Sequence, residues 1–318
     1  MKRILATLLI AASLLCLSAC DSTPLTETAV LLDTPCSITL YDGDNALLTA
    51  CFDRIAADEQ RWSKTIETSA VSVLNREGEA AVDADTAALL TEALRYSALS
   101  DGAFDITAAP LTALWQAAEE RGTPPSAEEI AAALSRVGYA RLTVDRTTAQ
   151  LADGAAIDLG AIAKGAIADR AAAHLRENGC ESALIDLGGN IVAVGSKNGA
   201  PFTIGIADPR DPNTLLTTVE VRDLAVVTSG SYERGFTIGG NRYSHIIDPH
   251  TGYPVENDLA SVTVLCPSAT KADALATACF VMGYDRAAAL IAAESDTEAV
   301  FAMTDGRILT TDGVKIGS

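Results

Sequence analysis

Six short apolar runs follow one another in the second half of the chain, at residues 183–187, 191–195, 202–207, 215–221, 225–228 and 261–265, with no helical period between them. Runs of this length and composition read as strands. Helical period is confined to other stretches: residues 45–61, with apolar positions at Leu47, Leu48, Cys51, Ile55 and Ala56, and residues 85–100, stopped by Asp101-Gly102. Pro110 opens a third helix through Trp115, and a capping-box pattern of Ser126 and Glu129 opens a fourth that ends near Gly138. An Ala-rich stretch at 161–178 is stopped by Gly179, and Pro267-Ser268 starts a helix reaching about residue 282, after which one more helix and two short strands close the chain. Residues 30–41 read as a first strand, residues 102–107 as a short extended piece and residues 141–158 as a hairpin-like stretch. Strands grouped beside segregated helices specify an α+β fold and exclude a βαβ alternation. No Pro, Ser or Gly-rich linker after Thr28 is long enough to separate two domains, so one two-lobed unit of mixed sheets with segregated helices is expected.

The N-terminus reads as a processing signal. Lys2 and Arg3 precede an apolar run from Ile4 to Leu17, and Leu17-Ser-Ala-Cys20 resembles a bacterial lipobox. That resemblance implies a signal peptide at 1–19 and lipid on Cys20, with a polar tether at 20–28 and the folded domain at 29–318. Cleavage would remove Lys2 and Arg3 and make the formal charge of −19 more negative by two. So acidic a surface disfavours nucleic acid and anionic headgroups, and any anionic ligand must be met by local positive charge, a cation or backbone dipoles. Five cysteines would remain, Cys36, Cys51, Cys180, Cys266 and Cys279, with no CxxC or zinc-ligand spacing. An odd number cannot all pair within one chain, and they read as buried small hydrophobes.

Four stretches carry residue types that packing alone does not ask for. In the predicted helix from residue 268, Asp273 and Thr277 are four apart and share a face; they suit either a hard divalent cation or, for Asp273, a favourable place near the helix start. Asp158-Leu-Gly-Ala-Ile-Ala-Lys-Gly165 turns from strand into helix, so its amides and Lys164 suit a phosphate, or the segment is simply a tight turn. Ile185-Asp-Leu-Gly-Gly-Asn-Ile191 reads as a sharp turn. Finally, Ser229-Gly-Ser-Tyr-Glu-Arg234 and Tyr243-Ser-His-Ile-Ile-Asp-Pro-His-Thr-Gly-Tyr-Pro254 bring two of the three histidines beside turn formers. His245, with Asp248 three residues on, reads either as a proton acceptor or as a core histidine, while His174 reads as structural.

Taken together and in order, these segments resemble the ApbE family, the FAD:protein FMN transferases. The resemblance rests on Gly102-Ala-Phe-Asp-Ile-Thr107, Asp158 to Gly165, Leu187-Gly-Gly-Asn190, Thr228 to Arg234, His245 to Pro254 and Asp273-Ala-Leu-Ala-Thr277. It implies a catalytic domain of that family's type, transferring FMN from FAD to a Thr or Ser hydroxyl with Mg²⁺ and releasing AMP. By position, Asp273 and Thr277 would ligate Mg²⁺ through their side chains and Ala161 through its carbonyl. Ala103, Phe104, Asp105, Asp158 and Lys164 would line the FAD site, Trp62 would stack on the flavin, and Leu32 stands where a methionine is usual. His245 would sit at the reacting phosphate as the catalytic base, assisted by Asp248, while His250 is a turn position without a role. The implied partner is an extracytoplasmic FMN-accepting domain of a membrane redox complex, met by a lipid-anchored enzyme on the extracytoplasmic face of the cell membrane. Two other outcomes use the same site: hydrolysis of FAD to FMN and AMP, or flavin binding without turnover.

Overall fold

A computed structural model describes residues 23–232 and 235–317. The leader and lipobox expected at residues 1–20, Cys20 included, and the Glu233-Arg234 end of one motif lie outside the described residues. The chain begins with β1 (Leu25–Leu31) and β2 (Thr34–Leu40), followed by α1 (Asn45–Trp62), α2 (Ala70–Glu77), β3 (Glu79–Ala81) and α3 (Ala84–Leu99). Next come α4 (Ala109–Arg121), α5 (Ala127–Leu134), β4 (Leu142–Asp145), β5 (Thr148–Leu151) and α6 (Ala163–Glu177). The strand-rich stretch holds β6 (Ser182–Leu187), β7 (Asn190–Gly195), β8 (Phe202–Asp208), β9 (Asp211–Val221), β10 (Ala225–Gly230), β11 (Phe236–Ile238), β12 (Asn241–Tyr243) and β13 (Leu259–Cys266). The chain closes with α7 (Ala269–Met282), α8 (Tyr284–Ala293), β14 (Glu298–Met303), β15 (Ile308–Thr310) and β16 (Ile316–Gly317).

Eight strands form one sheet in the order β1-β2-β6-β7-β10-β13-β14-β15, with every pairing antiparallel. Helices α1, α6, α7 and α8 close one face over Ile38, Ile185, Val227 and Val264. The small sheet β16-β9-β8 covers the other, laying Phe202, Ile204 and Val219 against Val226, Leu265 and Val300. Adjacent residues Val226 and Val227 thus divide between the two clusters, as the two-residue period of a strand requires. A sheet buried on both faces needs apolar side chains at consecutive positions, which is why its strands read as continuous apolar runs. A second, smaller cluster joins α4, α5 and the β11–β12 hairpin around Leu111, Trp115, Ile130, Ile238 and Ile247. The architecture is α+β, with the helices segregated from the strands as expected.

The local differences have physical causes. Residues 30–41 are not one strand but the end of β1, a turn and β2, in which Leu32 and Asp33 both take φ of +56° and turn Leu31 back onto Thr34. Aspartate tolerates that backbone; leucine rarely does, and no glycine marks the turn. Strand β1 begins at Leu25, inside the segment expected to be tether. Helix α2 and strand β3 were not anticipated, because eight and three residues are too short to display a period. The capping box of Ser126 and Glu129 is formed in both directions at the start of α5. All five cysteines are buried and free, and burial pushes the Cys279 thiol up to about 12, far from a reactive thiolate.

Candidate active site

A cleft of about 320 Å³ opens between the main sheet with its helices and the smaller α4 cluster. Its lining unites Ala103, Phe104, Asp105, Asp158, Ala161, Lys164, His245, Asp273 and Thr277, nine residues brought together from four separate stretches of sequence.

The floor is made where α6 and α7 cross. Asp158 accepts from the Gly160 amide through Oδ1 at 2.9 Å, which closes the turn that starts α6. Helix α6 has no side-chain cap of its own. Instead, Asp273 reaches across from α7, and its Oδ2 accepts from the Gly165 amide at 3.0 Å, satisfying one of the donors that a helix start leaves open. Asp273 is therefore held by the positive end of the neighbouring helix rather than its own. Its other oxygen, Oδ1, lies 3.9 Å from Lys164 Nζ, and the residue is 3% exposed. Only glycine permits this crossing: a Cβ on Gly165 would stand 2.2 Å from the Ala269 carbonyl oxygen and 2.9 Å from Asp273 Cβ. One turn after Asp273, the Thr277 hydroxyl lies 3.2 Å from that of Ser229 on β10.

These donors fit a hard cation. They are a buried carboxylate with one oxygen left for the cleft, a hydroxyl on the same helix face and the backbone of Ala161 in the same lining. No group of three or more His, Cys, Asp or Glu placed to hold a metal ion occurs among the described residues. That suits Mg²⁺, which takes one or two carboxylates and fills its shell with water and substrate phosphates.

Positive charge in the cleft lining comes from two lysines. Lys164 donates to the Gly160 carbonyl at 2.9 Å. Lys64, just past the end of α1, lines the cleft and pairs with Asp158 Oδ2 at 2.7 Å. Lys64 was not foreseen, because a single lysine in a loop carries no pattern.

The opposite wall is the loop after β12. Half-buried His245 faces the cleft with Ile246, Ile247 and Pro249. Its loop is closed by a bridge between Ile247 and Pro254 and by Trp115 Nε1 donating to the Gly252 carbonyl at 2.9 Å. Asp248, three residues after His245, holds the turn of this loop. Its carboxylate accepts from the His250 amide at 2.9 Å and the Thr251 hydroxyl at 3.2 Å, and it faces His250 Nδ1 at 3.1 Å. His250, left without a role by the sequence, donates from Nε2 to the Asp101 carbonyl at 2.8 Å. It ties the His245 loop to the turn that carries Ala103, Phe104 and Asp105. Burial raises the Asp105 carboxyl above its ordinary range, against Thr107, whose amide and hydroxyl donate to it at 2.7 Å.

Trp62 is a correction. It is 4% exposed in the main core, its Nε1 donates to Thr86 Oγ1 at 3.0 Å, the Arg170 guanidinium lies over its ring, and it does not line the cleft. A ring so enclosed cannot stack on a flavin. The signal was present, since Trp62 falls on the stripe of Leu48, Cys51 and Ile55 at helical spacing. The aromatic residues that do line the cleft are Phe104, Trp115 and Phe236.

The ApbE family model matches residues 32–301. An FAD:protein FMN transferase of Treponema pallidum is 36% identical over an alignment of 311 residues, covering 90% of this chain and 86% of that protein. Among solved structures, the ApbE protein of Thermotoga maritima matches with a TM-score of 0.83 at 32% identity, covering 91% of this chain and 97% of its own. The flavin transferase ApbE of Vibrio cholerae matches with a TM-score of 0.78 at 29% identity, with the same two coverages.

Proposed function

This chain belongs to the ApbE family, and from that premise we propose how its cleft moves FMN from FAD onto an acceptor. The protein is a transferase, and FAD is its substrate. The acceptor atom is the hydroxyl oxygen of a Thr or Ser in a partner protein. That oxygen forms a bond to the FMN-side phosphorus, the phosphorus–oxygen bond to AMP breaks, and the hydroxyl proton passes to an imidazole nitrogen of His245. Lys164 and the positive end of α6 hold the negative phosphate oxygens. Asp273, Thr277 and the Ala161 carbonyl would hold Mg²⁺, which when bound neutralises charge on the two phosphates. Asp158 fixes Lys64 and the α6 turn, Ala103 to Asp105 form the adjoining wall, and the His250 tie keeps that wall in register with His245.

One observation carries this reading: Asp273, Thr277, Ala161, Lys164 and His245 line a single cleft. The remaining features rest on the sequence. Lipid on Cys20 anchors the enzyme to the extracytoplasmic face of the cell membrane, where its partner is an FMN-accepting domain of a membrane redox complex. No described helix is long and apolar enough to cross a membrane.

The test is to incubate the protein with FAD, Mg²⁺ and an FMN-binding acceptor domain and weigh the acceptor by mass spectrometry. A gain of one FMN is expected. Free FMN and AMP with an unmodified acceptor would make it a hydrolase, and intact FAD would reject both.

A further inference from the structure

The reading above leaves one polar group of the cleft without a task. Asn190 lines the cleft, is 2% exposed, and its side-chain amide nitrogen has no hydrogen-bond partner among the described residues. Its position explains why that is unusual. Gly188 and Gly189, at φ of +64° and +92°, make the two-residue turn between β6 and β7, and Asn190 is the first residue after it. It pairs directly with Leu187 on β6 and Val227 on β10, so all three side chains point to the helix-covered face. Leu187 and Val227 are fully buried apolar residues there. The turn needs the two glycines, but nothing in it needs an amide, and a leucine or valine would match its neighbours.

A buried amide without a partner destabilises a fold, and such groups persist where a ligand completes them. The ligand is indicated by what surrounds the end of this strand. Ser229 stands two residues beyond Val227 on the same face of β10 and is bonded to Thr277, one turn from Asp273. Asn190 therefore opens on the part of the cleft where the cation donors meet. Its carboxamide is neutral and can donate two hydrogen bonds without adding charge.

We propose that Asn190 donates a hydrogen bond to a non-bridging phosphate oxygen of FAD at the scissile phosphorus, as a further catalytic residue of the transfer. The inference rests on the transferase reading and adds to it a neutral donor opposite the charged ones. Negative charge grows on the equatorial oxygens as the new bond forms, and a donor fixed in a low-dielectric floor answers it without reorganising.

The experiment compares Asn190→Leu and Asn190→Asp with the unaltered protein in three measurements: melting temperature without ligand, affinity for FAD, and rate of FMN transfer. Because the amide is unpartnered in the free protein, Asn190→Leu is expected to melt no lower than the unaltered chain, whereas Asn190→Asp buries a carboxylate and is expected to melt lower. Transfer is expected to fall on the order of 100-fold in both, the loss typical of removing one such donor, with a smaller change in FAD affinity. Transfer at the unaltered rate in either variant would overturn the proposal. So would a melting temperature lowered in Asn190→Leu, because that assigns Asn190 to the fold. If the unaltered protein neither transfers nor hydrolyses FAD, the transferase reading fails first, and unchanged FAD affinity in both variants then removes the contact as well.

Discussion

Replacing Gly165 by alanine sets two physical effects against each other at the crossing that builds the site. Gly165 lies inside α6 at an ordinary helical backbone, so helix propensity alone predicts that alanine stabilises by about 1 kcal/mol. Packing predicts the reverse. The new methyl would stand 2.2 Å from the Ala269 oxygen, 2.6 Å from its carbonyl carbon and 2.9 Å from Asp273 Cβ, where ordinary contact begins at 3.4 Å. Two of these three atoms are backbone, so α6 and α7 must part by about 1 Å, and overpacking of this kind costs about 1–3 kcal/mol. We take the upper end, because the separation also stretches the 3.0 Å bond from the Gly165 amide to Asp273. The net expectation is a loss of about 2 kcal/mol, or roughly 3 °C in melting temperature for a chain of this size. Function should suffer more than stability, since the shift moves Asp273 relative to Lys164 and Thr277 together. Thermal unfolding measured with and without Mg²⁺ and FAD, alongside the transfer assay, separates the two effects. The variant should melt lower, gain less from Mg²⁺ and FAD, and transfer FMN at a small fraction of the normal rate. A Gly165→Ala protein that melts higher and transfers normally would show that propensity outweighs the contact and that the crossing does not set the site.

His245→Ala should abolish transfer while FAD still binds; unchanged transfer would remove His245 as the proton acceptor. Trp62→Phe deletes the donor to Thr86 and should cost about 1 kcal/mol of stability, read as a small fall in melting temperature, with FAD affinity unaltered. A large loss of FAD affinity would restore the flavin-stacking role. Asp105→Asn tests the raised carboxyl. A carboxyl whose folded pKa lies above its unfolded one favours folding at low pH and loses that contribution as pH rises through the folded value. The variant should therefore melt higher than the unaltered protein near neutral pH, by a margin that shrinks on acidification. A margin independent of pH would mean that burial does not govern this group.

The parts of the fold that the sequence displayed were those with many repeats of a signal. Strands buried on both faces showed as continuous apolar runs, and α6 and α7 showed as long helices between glycine and proline punctuation. Asp273 and Thr277 were legible because one helical turn fixes their relation whatever the rest of the chain does. What escaped depended on contacts distant in sequence or on a single residue. The turn at Leu32 and Asp33 lacks the glycine that would have marked it, and Lys64 meets Asp158 from 94 positions away. His250 joins two loops 149 residues apart through one carbonyl. Trp62 is a different case, for its place on the apolar stripe of α1 is visible in the sequence.

Asp273 shows why the two readings of an acid in a helix need not compete. The sequence offered either a cation ligand or a residue favoured by a helix start, and the two use different oxygens of one carboxylate. Oδ2 is spent on the Gly165 amide, where it closes the start of α6 and fixes the crossing of the helices. That bond is also what aims Oδ1 into the cleft beside Lys164, since a carboxylate held at one oxygen by a backbone donor has little freedom left at the other. The structural role is thus the source of the functional geometry. A variant that kept the charge but lost the cap should bind a cation no better than one that lost the acid outright. Asp273→Glu is that variant: its extra methylene, at a residue 3% exposed, cannot satisfy both partners without moving one helix.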